Sequence, residues 1–334
     1  MSSPEMDSTA VDDAAARAFA TEFGEAARAL PPVAIVIAAF NEADVVGQVI
    51  EALPAEICGL KTAVLVVSDG SKDKTAGAAK TQGALVCDVP VNRGQGAALR
   101  LGYRLAREGG ASYIVTTDAD GQYNPAEMER VLAPVVAGEA DFVTGSRKLG
   151  SQETKDPVRR LGTWVFAKSI SLLTRQRITD SSFGLRAMRA EVTGAVRLEQ
   201  PQYQSSELLI AVLAHGFRVI EVPATIHKRQ VGESKKGHNA IYGLKFAGVV
   251  ASTWWRERQR RVPGSGSVDA SAAARPRPAT RDAARPKPRP PTAPGRSPLR
   301  AEPGCRRPPP RKPSSLAGWT RGPRKGSSGR SRTG

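Results

Sequence analysis

From Val33 onward the chain alternates short β-branched runs with longer stretches of helical period. The runs VAIVIAA (33–39), AVLVVS (63–68), ALVCDV (84–89), SYIVTT (112–117) and DFVTG (141–145) are continuous and apolar, as strands covered on both faces should be. Helical spacing fills the gaps at about 44–53, 74–82, 96–108 and 125–137, the last with Asn124 as N-cap and Pro125 at the first helical position. This order predicts βαβ units around a mainly parallel sheet flanked by helices, an α/β fold. After Gly145 the alternation stops. A helical stretch at 158–173 leads to DSSFGLR (180–186), then come a helix near 205–216, the strand FRVIEVPATI (217–226) and a final helix at 241–258. Long connections of this kind often carry acceptor or lid elements. Residues 1–30 are expected to form an N-terminal helical extension.

Composition ends the folded part near residue 262. The stretch from Gly264 to Gly334 has 17 Lys and Arg against 3 Asp and Glu, and 14 of the 25 prolines. With so few apolar residues it is expected to be a disordered Arg/Pro-rich tail. Of the net charge of +17, this segment carries +14 and leaves only +3 for the rest. Nucleic acid is therefore not the partner expected for the folded core; a basic nucleic-acid binder led by the tail is the alternative from another class. Cys58, Cys87 and Cys305 are widely spaced and odd in number, which fits a reducing, cytoplasmic setting. Acidic residues at the N-terminus do not make a signal peptide, and no stretch reaches the roughly 20 apolar residues that span a bilayer.

Strand SYIVTT runs into Asp118-Ala119-Asp120, placing two carboxylates where open α/β sheets bind ligands. Two hard oxygen donors one residue apart suit Mg²⁺ or Mn²⁺ bridging a diphosphate; an acidic turn is the plainer alternative. On the same edge AAFNEAD presents Asn41 and Glu42, and SDGSKDKT presents Asp69, whose oxygens can accept hydrogen bonds from base and ribose. Asp73 reads as a helix cap. In NRGQGAALRLG (92–102), Gly94 and Gly96 beside Arg93 would let backbone N–H groups approach phosphate, although close helix packing explains Gly96 better. Glu207, ahead of a helical run, is the candidate base for a hydroxyl acceptor, or else a first-turn acid favoured by the helix dipole.

Taken in order, AFNEAD, SDGSKDKT, NRGQGAAL, TTDADGQ, GSR, DSSFGLRA, EVP and RQVGESK span about residues 33–236. The series resembles the inverting family 2 glycosyltransferases of GT-A, Rossmann-like fold, in the branch of dolichol-phosphate mannose and polyprenyl-phosphate glucose synthases. That resemblance implies a nucleotide-sugar site formed by Ala38, Phe40, Glu42, Val67, Asp69, Asp118, Ala119, Asp120 and Arg147. It also implies a metal held by Asp118, Asp120 and Gln122, with Asp120 the residue closest to catalysis, and an acceptor phosphate faced by Asp180, Arg229 and Lys235. Members usually have Pro and Tyr where this chain has Ala38 and Phe40, which leaves the base open. The implied donor is GDP-mannose or UDP-glucose and the implied acceptor a polyprenyl phosphate, with a hydroxyl acceptor as the alternative. Residues 237–262, with paired tryptophans followed by arginines, fit either a helix lying on an anionic membrane at its inner face or one packed on the sheet by Ile241, Leu244 and Val249.

Overall fold

The computed structural model describes residues 8–152, 157–227 and 239–260. Helices α1 (Ser8–Phe23) and α2 (Glu25–Arg28) precede β1 (Val33–Ala39), α3 (Ala43–Glu51), the two-residue β2 (Glu56–Ile57), β3 (Leu60–Asp69), α4 (Thr75–Thr81), β4 (Leu85–Val89), α5 (Gln95–Glu108) and β5 (Tyr113–Asp118). A 3-10 turn at Pro125–Glu127 leads into α6 (Met128–Val136). The chain continues through β6 (Phe142–Gln152), α7 (Pro157–Thr174), β7 (Arg186–Arg189), α8 (Ala190–Ala195), α9 (Gln204–Ala214), β8 (Val219–Ile226) and α10 (Asn239–Arg260).

The strands form one mixed, mostly parallel sheet in the order β4-β3-β1-β5-β7-β6-β8, with β2 antiparallel to the start of β3. Strand β1 is buried on both faces, and its side chains sort by period two. Val33, Ile35 and Ile37 join Val46, Ile50, Val66, Val86 and Leu132 under α3, α4 and α6. Ala34 and Val36 join Leu65, Val67, Leu101, Tyr103 and Leu209 under α5 and α9. Helix α5 comes close to the sheet because Gly102 has no side chain; a Cβ there would lie 2.5 Å from Val36 Cγ1. The expected N-cap is present: Asn124 Oδ1 accepts the Ala126 N–H at 3.0 Å, although the first turn is 3-10 rather than α.

Several elements differ from the sequence reading; β2 and α8 are too short to carry a pattern of their own. Strand β7, antiparallel between β5 and β6, lies in a segment that reads as connection, because four residues, RAMR, carry too little pattern to announce a strand. Helix α1 buries Val11, Ala15, Ala16 and Phe19 and packs along β4, so it is a layer of the fold. The basic tail lies outside the described residues.

Candidate active site

The carboxyl ends of β1, β3 and β5 lie side by side, Ala38 being in register with Val67 on one side and Asp118 on the other. Asp118 is half-buried and accepts a hydrogen bond from Gln95 Nε2 at 3.0 Å. Asp120 is buried, and its Oδ1 accepts the Gln122 N–H at 3.1 Å. Gln122 is clamped to the end of β8: its carbonyl accepts the His227 N–H and its Nε2 donates to the His227 carbonyl, both at 2.9 Å. A carbonyl can only accept, so the amide nitrogen must face His227 and Oε1 is the end available to a metal. Two carboxylates and an amide oxygen are the donor class that Mg²⁺ or Mn²⁺ takes, with phosphate oxygens and water completing the shell. The residues present fit such an ion.

Gly184 connects this turn to the neighbouring strand ends. A Cβ there would stand 2.7 Å from Tyr123 Oη and 2.9 Å from Asp118 Oδ2, so only glycine fits. Its N–H donates to Tyr123 Oη at 2.9 Å, and the Tyr123 ring lies 5.0 Å from that of Phe183. The Arg147 guanidinium lies 5.9 Å over the Phe183 ring. Arg147 sits where the β6–β8 ladder is interrupted between Ser146 and Ser151, an irregularity of the kind that re-aims a side chain. Its Nε donates to Asp180 Oδ2 at 2.6 Å, and its Nη2 donates to Asp180 Oδ1 at 3.2 Å and to Ser182 Oγ at 2.8 Å.

Asp180 is fully buried behind Arg147, so the expectation that it faces an acceptor phosphate is corrected. An anion there would repel phosphate, whereas as a partner it fixes the guanidinium plane. Glu221, in the EVP sequence, accepts the Thr179 and Asp180 N–H groups at 2.8–3.0 Å. Burial pushes its carboxyl above the ordinary range against those bonds. Sequence reasoning also missed Arg186. It is buried beside Tyr103, Tyr123, Asp118 and Asp180, with burial opposing its charge, and it donates to the Phe183 carbonyl.

Other expectations are revised by burial. Val67 is fully buried beneath α5 and Ala119 is 4 % exposed among core residues, so neither side chain lines a nucleotide site. Asp69 is nearly buried and its carboxylate accepts the N–H groups of Arg93 and Gly94 at 2.8 and 2.7 Å and Arg93 Nε at 3.3 Å. It therefore acts as the anchor of the 92–94 loop. The Gly96 N–H donates to the Pro201 carbonyl at 2.8 Å, which makes close packing, not phosphate approach, the reason for that glycine. Phe40 and Glu42 are half-buried at the β1 end, with the Glu42 N–H bonded to Thr75 Oγ1 at 2.9 Å. Asp73 accepts the Thr75 N–H at the start of α4 and also the Ala43 N–H, bracing the two turns.

Glu207 is wholly buried. Its oxygens accept the Glu199 and Gln200 N–H groups at 2.8 and 3.0 Å, and Arg256 pairs with it at 3.1 Å. This replaces the base reading, because the carboxylate is closed off from solvent and its oxygens are already taken by two backbone N–H groups and a guanidinium. Arg229 and Lys235 lie outside the described residues.

A family model for glycosyl transferase family 2 matches residues 34–196. A polyprenol monophosphomannose synthase of Mycolicibacterium smegmatis is 33% identical over 250 residues, covering 69% of this chain and 89% of its own. The chain is a family 2 glycosyltransferase. This transferase is also similar to an undecaprenyl-phosphate mannosyltransferase of Micrococcus luteus, 31% identical over 67% of this chain and 93% of that one. The glucosyl-3-phosphoglycerate synthase of Mycobacterium tuberculosis, solved with Mn²⁺ and uridine diphosphate, shares the fold with a TM-score of 0.54 at 20% identity, over 80% of this chain and 88% of that one. The GT-A architecture expected for the transferase is the one present. Among its described residues no helix is long and apolar enough to cross a membrane.

Proposed function

We propose that the transferase moves a hexosyl group, mannose or glucose, from GDP-mannose or UDP-glucose to a polyprenyl phosphate with inversion. The observation that carries this reading is the continuous path from Asp118 through Gly184 and Phe183 to Arg147: a carboxylate pair suited to a metal and an oriented guanidinium stand at neighbouring strand ends. The two mannosyl-transferring relatives carry prenyl phosphates in their names, which supports the acceptor class. A phosphate oxygen would attack the sugar C1 as the bond from C1 to the nucleotide diphosphate breaks, the electron pair leaving on the diphosphate. Mg²⁺ or Mn²⁺ held by Asp118, Asp120 and Gln122 would supply charge compensation for that leaving group. The acceptor phosphate is anionic at neutral pH, its second pKa lying near 6, so no general base is required. That agrees with the structural commitment of Glu207.

A lipid acceptor calls for a membrane surface, and α7 supplies one. Trp164, Lys168 and Leu172 are exposed at helical spacing on one stripe of α7, beside Val165, and the exposed Arg175 follows the end of the helix. Trp254 Nε1 donates to the Leu173 carbonyl at 3.3 Å, bringing α10 alongside. There Trp255 and Arg258 are exposed while Val249, Val250 and Thr253 are buried, so α10 packs one side on α7 and α9, not on the sheet as expected, and leaves an aromatic and a cation outward; the side chains of Ile241 and Leu244 lie outside the described residues. Aromatic and aliphatic side chains interleaved with cations suit an anionic lipid interface. The test is transfer from radiolabelled GDP-mannose and UDP-glucose, with Mn²⁺, to undecaprenyl phosphate in phosphatidylglycerol vesicles. Transfer only to a soluble hydroxyl acceptor would overturn the lipid-phosphate reading, and equal activity on neutral vesicles would overturn the surface.

A further inference from the structure

The N-terminal helix precedes the family-matched residues 34–196, yet it reaches the donor side of the sheet edge. Asp12 on α1 pairs with Arg93 Nη1, and the same guanidinium donates through Nε to Asp69 at 3.3 Å. The Arg93 and Asp69 side chains are 10% and 3% exposed, so the interaction is shielded from solvent and poorly screened by salt. The Arg93 and Gly94 N–H groups end on the same Asp69 carboxylate, and Gly94 has φ +96, a conformation only glycine adopts freely. Arg93 also lines a cavity of about 450 Å³ with Val11, Val91, Ala97 and Arg100, so without its partner the guanidinium has room to swing out of place.

We propose that Asp12 is a positioning residue for nucleotide-sugar binding: it holds Arg93 against Asp69 and so keeps the 92–94 loop shaped beside the donor site. This rests on the donor reading above for its consequence, though not for its geometry. The helix is attached independently by Asp13 to Arg104 and by Glu22 to Lys80, which makes Asp13 the control. Neither Asp12 nor Asp13 belongs to the catalytic machinery.

The experiment compares Asp12→Asn, Asp12→Glu and Asp13→Asn by hydrogen exchange of the Arg93 and Gly94 amides, and by donor KM and kcat. Asp12→Asn is expected to accelerate exchange at both amides and to raise donor KM roughly three- to tenfold with kcat nearly unchanged, since each tenfold corresponds to about 1.4 kcal/mol. Asp12→Glu should recover most of the affinity, Asp13→Asn should leave both readouts at wild type, and in an Arg93→Ala background Asp12→Asn should add nothing. Unchanged exchange at Arg93 and Gly94 overturns the clamp whatever the enzyme's substrate. Equal effects of Asp12→Asn and Asp13→Asn would mean that only helix docking matters and would overturn it too. Faster exchange in a protein whose wild type binds no nucleotide sugar leaves the clamp standing as loop geometry but overturns its assigned purpose, and that failure belongs to the functional reading.

Discussion

On the β1–β5 half of the sheet edge, carboxylates tie loops together mainly by accepting backbone N–H groups: Asp69 takes those of Arg93 and Gly94 beside its contact with the Arg93 guanidinium, and Asp73 those of Thr75 and Ala43. On the β6–β8 half of that edge Asp180 holds the Arg147 guanidinium and is itself braced by Glu221 through backbone N–H groups; at the opposite, amino end of β6, Asp141 likewise holds Arg189 and Arg218. The two ways of using a buried anion have different results. An anion met mainly by amide dipoles fixes a backbone shape, which suits a half whose loops must be shaped around a metal ion and a diphosphate. An anion paired with a guanidinium fixes a planar fork of donors, which suits a half that must meet phosphate.

The strongest way to break this contrast is at Asp120. Asp120→Asn keeps the size but removes the charge that would hold a divalent ion, and turnover should fall by about a thousandfold. The same loss should follow a chelator and be reversed by Mn²⁺. An Asp120→Asn enzyme with wild-type activity in chelator would remove the metal from the donor half. Next comes Gly184→Ala, which forces a methyl group against Tyr123 and Asp118 at the join of the halves. Overpacking of this kind costs about 1–3 kcal/mol, and misplacing Asp118 should lower kcat by roughly a hundredfold. Thermal denaturation and kinetics on one preparation separate the two effects; loss of stability without loss of kcat would show that the halves are not coupled there.

The contrast between halves also marks what the sequence could reveal. In the β1–β5 half β1 is buried on both faces and most of β3, β4 and β5 is covered, in a consecutive parallel pattern, so these strands announce themselves by apolar runs that turn polar at their ends. In the other half β7 is four residues long and enters the sheet by tertiary pairing, which no local pattern encodes. Burial shows the same division. The Asp118-Ala119-Asp120 turn stands out in the sequence because two carboxylates follow directly on an apolar strand, where open α/β sheets bind ligands. The burial of Asp180, Glu207 and Glu221 depends on partners 33 to 49 residues away in the chain, and a lone acid in a sequence does not name its partner. Arg186 was missed for the same reason.

Asp180→Asn sharpens the acceptor side. The asparagine can keep one contact to Arg147 but leaves the guanidinium without a counter-charge, free to rotate from its plane. Acceptor KM should rise by about tenfold with donor KM nearly unchanged. A change confined to donor KM would keep Arg147 at the donor diphosphate, where the family resemblance puts it, and shift the boundary between the two halves.

The smallest effect on turnover is expected at Glu207, and it separates architecture from chemistry. Glu207→Gln keeps the shape and one acceptor oxygen, but the amide NH₂ would face either the Gln200 N–H or the Glu199 N–H together with Arg256, all of them donors. Some destabilisation must follow. Removing one member of a buried ion pair costs about 3–5 kcal/mol when nothing else meets the remaining charge; here Arg256 also contacts Glu199 and Glu257, so a cost nearer 1–3 kcal/mol is expected, measured as a fall in denaturation midpoint. At temperatures where the variant is folded, kcat should stay within about threefold of wild type, because the attacking phosphate needs no proton removed. A drop of 10² or more in kcat at full folding would make Glu207 a base, a contribution of the size general bases supply. It would also point to a hydroxyl acceptor, so the isosteric change of one buried oxygen tests the acceptor class from the side opposite to Arg147.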